Sequence, residues 1–185
     1  MKLYLLRHAE RGHGKEQDSL TLYGKEQSEN IVPHLKSLNI DKIFCAKTNR
    51  AEETIKPFMK HFSKEIEYTS LINEQEMGEL NGKSGEDYRK VIEKSGLNKK
   101  EFRPEKGENY YDLFERAKKF LDSLKKEKAE RILISTHAGF IRATVALLLN
   151  LPEEKLEFNS ASITFIELDK HFKVISYNIN KDISN

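Results

Sequence analysis

Short apolar runs alternate with longer stretches whose apolar residues recur at helical spacing, and this alternation constrains the fold more than any other feature of the chain. Residues 3–6 form an apolar run too short for a buried helix, and a polar stretch with Gly12 and Gly14 follows, which reads as strand then loop. Over residues 21–38, Leu22, Ile31, Leu35 and Leu38 fit one helical face, and Pro33 predicts a kink or a break in it. Residues 42–45 read as a second strand. Residues 49–62 read as a helix with Ile55, Phe58, Met59 and Phe62 on one side and a bend at Pro57, and residues 66–72 supply a third strand. Asn109, with Asp112 three positions on, is a variant of the capping box at the start of a helix whose apolar face is Leu113, Phe114, Ala117, Phe120, Leu121 and Leu124.

Residues 131–136 are a further strand, and residues 139–149 an almost wholly apolar helix, which predicts burial. Residues 162–168 and 172–177, joined through 169–171, read as a hairpin. Strands alternating with helices imply an α/β fold: a three-layer sandwich with a largely parallel central sheet flanked by helices, to which the hairpin adds an antiparallel edge. The 185 residues suit a single domain spanning 1–185, since no repeat, low-complexity run or Pro/Gly/Ser-rich linker divides them.

The 32 Lys and Arg residues nearly balance the 30 Asp and Glu, so a net charge of +2 gives no strong field for nucleic acid or a membrane surface. Any electropositive site must be local. Cys45 is the only cysteine, which excludes an internal disulfide and a multi-cysteine zinc site, and its neighbours Ile43 and Phe44 predict a buried thiol. The first apolar run meets Arg7 far short of a signal-peptide core or a spanning helix, so a cytoplasmic enzyme is expected.

Ligands of α/β folds gather at the carboxyl ends of the strands. His8 ends the first strand run and His137 ends the run 131–136, so both can face one crevice. Arg7 precedes the first histidine, and Arg50 opens the helix after the second strand. Singly, each such residue is ordinarily structural or a solvated charge.

Taken in order, the segments resemble the histidine phosphatase superfamily. Leu5-Leu6-Arg7-His8-Ala9-Glu10 is similar to its R-H-G or R-H-A signature, Leu20 to Gln27 to its L-T-x-x-G-x-x-Q element, and Arg50 to Thr54 to its R-A-x-x-T element. Glu74 to Gly82 resembles its acid-bearing E-x-x-x-G-x-x-x-G, Gly107-Glu108-Asn109 its G-E-S, and Thr136 to Arg142 its [ST]-H-x-G-x-I-R. The departures are Ala9 for the commoner glycine, Asn109 for serine and Thr136 for the commoner serine, and none removes a titrating group. The resemblance implies a phosphoglycerate mutase-like fold and a phosphomonoester hydrolase of the phosphatase branch. His8 would be the nucleophile, His137 a second catalytic and phosphate-binding histidine, Arg7 and Arg50 phosphate ligands, and Glu74 the general acid and base.

Chemistry gives a reason for each residue type. Phosphoryl transfer spreads charge over three equatorial oxygens, so positioning and cationic donors dominate. Arginine grips phosphate bidentately where lysine is a point charge. A positive pocket favours a neutral, nucleophilic imidazole through like-charge repulsion. Glu76 and Glu79 compete with Glu74 for the acid, which is favoured by its spacing to Gly78 and Gly82. Glu10, Arg11 and His13 are candidate rim residues, and Glu108 can serve the site or simply the helix start.

No metal or cofactor is required by this reading. The expected partner is a small-molecule phosphorylated substrate, with no nucleic acid and no membrane, and nothing in the sequence sets an oligomeric state. Alternatives are mutase-type phosphoryl transfer, for which the chain is short, a protein phosphohistidine phosphatase, against which Glu74 argues, and a non-catalytic phosphate-binding module. Recognition of the leaving group is expected in loops at residues 11–19 and 84–104.

Overall fold

The computed structural model describes residues 1–14, 17–151 and 156–179. Residues 15 and 16 of the first expected recognition loop therefore lie outside the described residues. Six strands form one sheet: β1 (Lys2–Arg7), β2 (Lys42–Ala46), β3 (Ile66–Thr69), β4 (Arg131–Thr136), β5 (Ile163–Leu168) and β6 (Phe172–Ile179), in the order β3-β2-β4-β1-β5-β6. Neighbours from β3 to β1 pair in parallel, and β5 runs antiparallel to both β1 and β6. The sheet is thus the mostly parallel one expected, with the hairpin at one edge.

The helices are α1 (Leu22–Asn30), α2 (Val32–Ser37), α3 (Asn49–Met59), α4 (Gly85–Ser95), α5 (Tyr110–Leu124) and α6 (Ala138–Leu149). α1 and α2 pack with α3, which lies against β4, while α5 packs on α6, which lies against β1 and β6. The core between them joins Leu3, Leu5, Ile43, Ile55, Leu113, Phe120, Ile132, Ile134, Phe140 and Ile141, all fully buried or nearly so. Cys45 is buried too, and burial pushes its thiol up to about 12.

Pro33 marks the break expected in the 21–38 helix, because a proline at the start of α2 lacks the N–H that a continuing helix requires. Other local readings need correction. Leu22 does not join a buried face: it is 81% exposed, and α1 buries Gly24 and Ser28 instead. α3 contains Pro57 and ends at Met59, short of the expected 62. The third strand stops at Thr69 and turns into a 3-10 helix at Ser70–Ile72. The loop expected at 84–104 contains α4, capped by Ser84, whose hydroxyl accepts from the Asp87 N–H, and closed by left-handed Gly96. The capping box at Asn109 and Asp112 is formed from both sides.

Candidate active site

Strands β1, β4 and β2 lie side by side and parallel, so their carboxyl ends open at one edge of the sheet. Arg7 is in register with Thr136, which sets His8 beside His137: their ring centroids are 5.2 Å apart. Next to them β2 ends and α3 begins, bringing in Thr48 and Arg50. Thr48 Oγ1 lies 3.2 Å from His137 Nε2. β3 leads through its 3-10 turn to Glu74, so each of the four parallel strands delivers a part of the site.

His8 is 3% exposed and its ring orientation is fixed. Its Nδ1 lies 2.7 Å from the Ala9 carbonyl oxygen. A carbonyl can only accept, so Nδ1 carries the proton and Nε2 keeps its lone pair. Burial pushes the imidazole down to about 3, with Arg50, Arg7 and Arg11 adding like-charge repulsion and the Ala9 hydrogen bond acting the other way. Desolvation, more than the positive pocket inferred from sequence, keeps His8 neutral. His137 is fully buried and is also held well below its ordinary value, by burial first and then by Arg50 and His8.

The main chain after His8 is clamped by the neighbouring motifs. The Ala9 N–H donates to Thr54 Oγ1, whose hydroxyl donates to the Arg50 carbonyl. The Glu10 N–H donates to Gln27 Oε1, and the Thr21 N–H donates back to the Glu10 carbonyl. Gly24 is required here, since a Cβ on it would fall 2.0 Å from the Glu10 carbonyl oxygen. These contacts account for the threonine of R-A-x-x-T and for the glycine and glutamine of L-T-x-x-G-x-x-Q.

Both arginines are anchored and still keep donors to spare. Arg7 Nη1 donates to the Phe158 carbonyl, and Arg50 Nη1 donates to Asp18 Oδ1 at 2.7 Å. Among the described residues, Nε of Arg7, Nε of Arg50 and Nδ1 of His137 are buried without a hydrogen-bond partner. Buried donors without partners are costly, and an oxyanion placed among them satisfies several at once. Burial lowers both guanidinium values, Glu74 opposes this at Arg7, and Asp18 and Glu74 oppose it at Arg50.

Glu74 therefore sits within electrostatic reach of both arginines. Its Oε2 accepts from the Gly139 N–H at 3.1 Å and its Oε1 from the Gln75 N–H at 3.0 Å. Gly139 is in the first turn of α6, where peptide N–H groups lack intrahelical acceptors and favour a carboxylate. A Cβ on Gly139 would lie 1.9 Å from Glu74 Oε1, so only glycine leaves room for this contact. Of the competing glutamates, Glu79 pairs with Lys106 at 3.5 Å and Glu76 lines an adjoining cleft.

That cleft, of about 490 Å³, reaches Thr48, Arg50 and Glu74 and is otherwise lined mainly by polar side chains such as Arg11, Gln17, Gln75 and Asn81, together with Met77. Arg11 is thus a rim residue as expected. His13 is exposed, and Glu10 spends its carboxylate on the Thr21 hydroxyl at 2.8 Å. Asp18, Thr48 and Arg116 escaped the sequence reading; the only local hint was the position of Thr48 just before a helix start. Among the described residues no group of three His, Cys, Asp or Glu side chains could hold a metal ion, and no helix is long and apolar enough to cross a membrane.

Residues 3–180 match the sequence model of the histidine phosphatase superfamily, branch 1. The chain belongs to this superfamily. As a histidine phosphatase it is 29% identical to a probable phosphatase of Schizosaccharomyces pombe over 189 residues, covering 96% of this chain and 83% of that one. It is 22% identical to the adenosylcobalamin/alpha-ribazole phosphatase of Escherichia coli over 171 residues, covering 84% and 83%. Among solved structures, YhfR of Bacillus stearothermophilus superposes with a TM-score of 0.83 at 24% identity, covering 96% of both chains. The histidine phosphatase fold of this chain is phosphoglycerate mutase-like, and the chain is a phosphatase enzyme.

Proposed function

We propose that this histidine phosphatase hydrolyses small-molecule phosphomonoesters through a phosphohistidine on His8, with Glu74 as general acid and then general base. The observation that carries the reading is the His8 ring. Its Nδ1–H is committed to the Ala9 carbonyl at 2.7 Å, which leaves the Nε2 lone pair beside two arginines with unpartnered buried Nε donors.

In the first step Nε2 attacks phosphorus in line while the P–O ester bond breaks. Arg7, Arg50 and His137 donate to the equatorial oxygens, where charge spreads. The leaving alkoxide takes its proton from the protonated form of Glu74. In the second step the Glu74 carboxylate removes a proton from water, the water oxygen attacks phosphorus, and the P–N bond breaks to return neutral His8 and free phosphate. The polar lining of the cleft suits a hydrophilic leaving group of modest size.

The test is a rapid denaturing quench at alkaline pH, where a P–N bond survives, using a ³²P-labelled ester. The parent protein is expected to carry label and His8→Ala none. Equal labelling of the two would overturn the assignment. Product analysis in the same reaction measures free phosphate against a phosphorylated isomer of the substrate, and hydrolysis predicts free phosphate.

A further inference from the structure

The acid-bearing segment, residues 73–77, belongs to no helix or strand, yet Glu74 has to present its carboxyl to within hydrogen-bond reach of a leaving oxygen. Its main chain up to Glu74 is held by a side chain of α5. Arg116, on α5, donates through Nη1 to the carbonyls of Leu71 (3.0 Å) and Asn73 (2.8 Å) and through Nη2 to the carbonyl of Glu74 itself (3.1 Å). The guanidinium is in turn gripped by Glu108, with Nε to Oε1 at 2.9 Å and Nη2 to Oε2 at 2.7 Å.

Both partners are largely buried, at 14% and 18% side-chain exposure, which strengthens a bidentate charged pair and makes its loss costly. Glu108 extends the grip past the acid. Its Oε2 accepts from the Glu76 N–H at 3.1 Å, its own N–H donates to the Glu76 carbonyl at 2.8 Å, and its carbonyl accepts from Gln75 Nε2 at 2.9 Å. The carbonyls before Glu74 and the peptide after it are thus fixed to one ion pair.

We propose that Arg116, braced by Glu108, is a positioning residue for proton transfer by Glu74. The proposal rests on the reading of Glu74 as the acid and goes beyond it. Every carbonyl that Arg116 holds lies on the turn and segment leading to Glu74, and none lies on the strand end that carries His8. Arg116 also faces His137 electrostatically, so its replacement by lysine, which keeps the positive charge, acts on the protonation of the leaving group more than on nucleophilic attack. Lysine cannot replace it, because one ammonium cannot grip a carboxylate in a fork and four carbonyls, that of Ser70 at 3.5 Å included, together.

The experiment follows single-turnover formation of phosphohistidine from an alkyl phosphate and from 4-nitrophenyl phosphate, whose leaving group needs no proton. For Arg116→Lys the alkyl rate is expected to fall about 10²-fold, the loss typical of a misplacement of about 1 Å, with the aryl rate within about threefold of the parent. Glu108→Gln keeps Arg116 but loosens its fork, and is expected to give the same discrimination in weaker form. Thermal melts verify that each variant is folded, and Glu108→Gln decides the case should Arg116→Lys not fold.

Glu74→Gln is the reference, and adding Arg116→Lys to it is expected to cause no further change in the alkyl-to-aryl ratio. If Glu74→Gln discriminates between the esters and both Arg116→Lys and Glu108→Gln slow them equally, the positioning role is overturned while the acid stands. If Glu74→Gln itself fails to discriminate, both readings are overturned.

Discussion

Replacing Gly139 with alanine puts a methyl carbon where the Glu74 carboxyl sits. An ideal Cβ at this position lies 1.9 Å from Oε1 and 2.9 Å from the carboxyl carbon. Non-bonded contacts to carbon settle at about 3.5–4.0 Å, so Oε1 must retreat by roughly 1.5 Å or more. The atom that gives way is the end of a flexible side chain, so the fold absorbs the change by moving the acid. The 3.1 Å hydrogen bond from the Gly139 N–H is lost with it, at about 1 kcal/mol. Alanine returns up to about 0.8 kcal/mol as the better helix former, so stability should stay nearly constant.

Activity should not. A displacement above 1 Å at the proton donor corresponds to about 10²-fold in phosphoryl transfer from an alkyl ester, with transfer from 4-nitrophenyl phosphate nearly unaffected. Single-turnover rates on the two esters and a thermal melt of Gly139→Ala read out both halves. An alkyl rate within threefold of the parent would refute the argument. So would a fall in melting temperature beyond about 5 °C, which corresponds to more than 1 kcal/mol in a chain of this size and would mean that the main chain had yielded instead.

Two further outcomes follow from burial. His8 is held near 3 in the folded state against about 6.5 in the unfolded chain, so the unfolded chain takes up a proton that the folded one refuses. Its contribution is therefore constant above about pH 6.5 and falls as the pH drops toward 3, reaching a loss of about 3 kcal/mol at pH 4.5. Urea unfolding at pH 7 and 4.5 should show a smaller pH dependence for His8→Asn than for the parent, and equal slopes would contradict the assignment. Cys45, fully buried with its thiol near 12, should react with a thiol reagent only after denaturation, and stoichiometric labelling of the native protein would show the strand to be open.

The strand ends and their histidines were legible in the sequence because a short apolar run followed by a chemistry-bearing residue survives without any knowledge of neighbours. Glu74 was legible only through its spacing to Gly78 and Gly82, which says nothing of how it is held. Its anchors, Gly139 and Arg116, come from helices 65 and 42 positions away, and no local pattern announces a carbonyl-binding arginine on the polar side of a helix. Asp18 and Thr48 were missed for the same reason, since each has meaning only beside Arg50 or His137.

Helix α4 is different, because its signals were present in Ser84, Asp87 and Gly96 and in Tyr88, Val91 and Ile92 at helical spacing, although the helix buries no residue fully. Leu22 shows the converse error. Its apolarity matched a helical period, yet the neighbour that α1 must approach is the main chain at Glu10, which admits glycine and excludes a leucine face.

The four parallel strands that carry Arg7, His8, Thr48, Arg50, Glu74 and His137 toward one edge form a common frame, whereas Arg11, Gln17, Asn81 and Lys106 reach the cleft from connections outside the sheet. On the function proposed above, reaction and recognition are thereby housed in separate parts of the chain. On that proposal, a lineage built on this plan can exchange one alcohol for another by rewriting those connections, while the register that aligns the proposed nucleophile, phosphate ligands and acid passes unchanged from one specificity to the next.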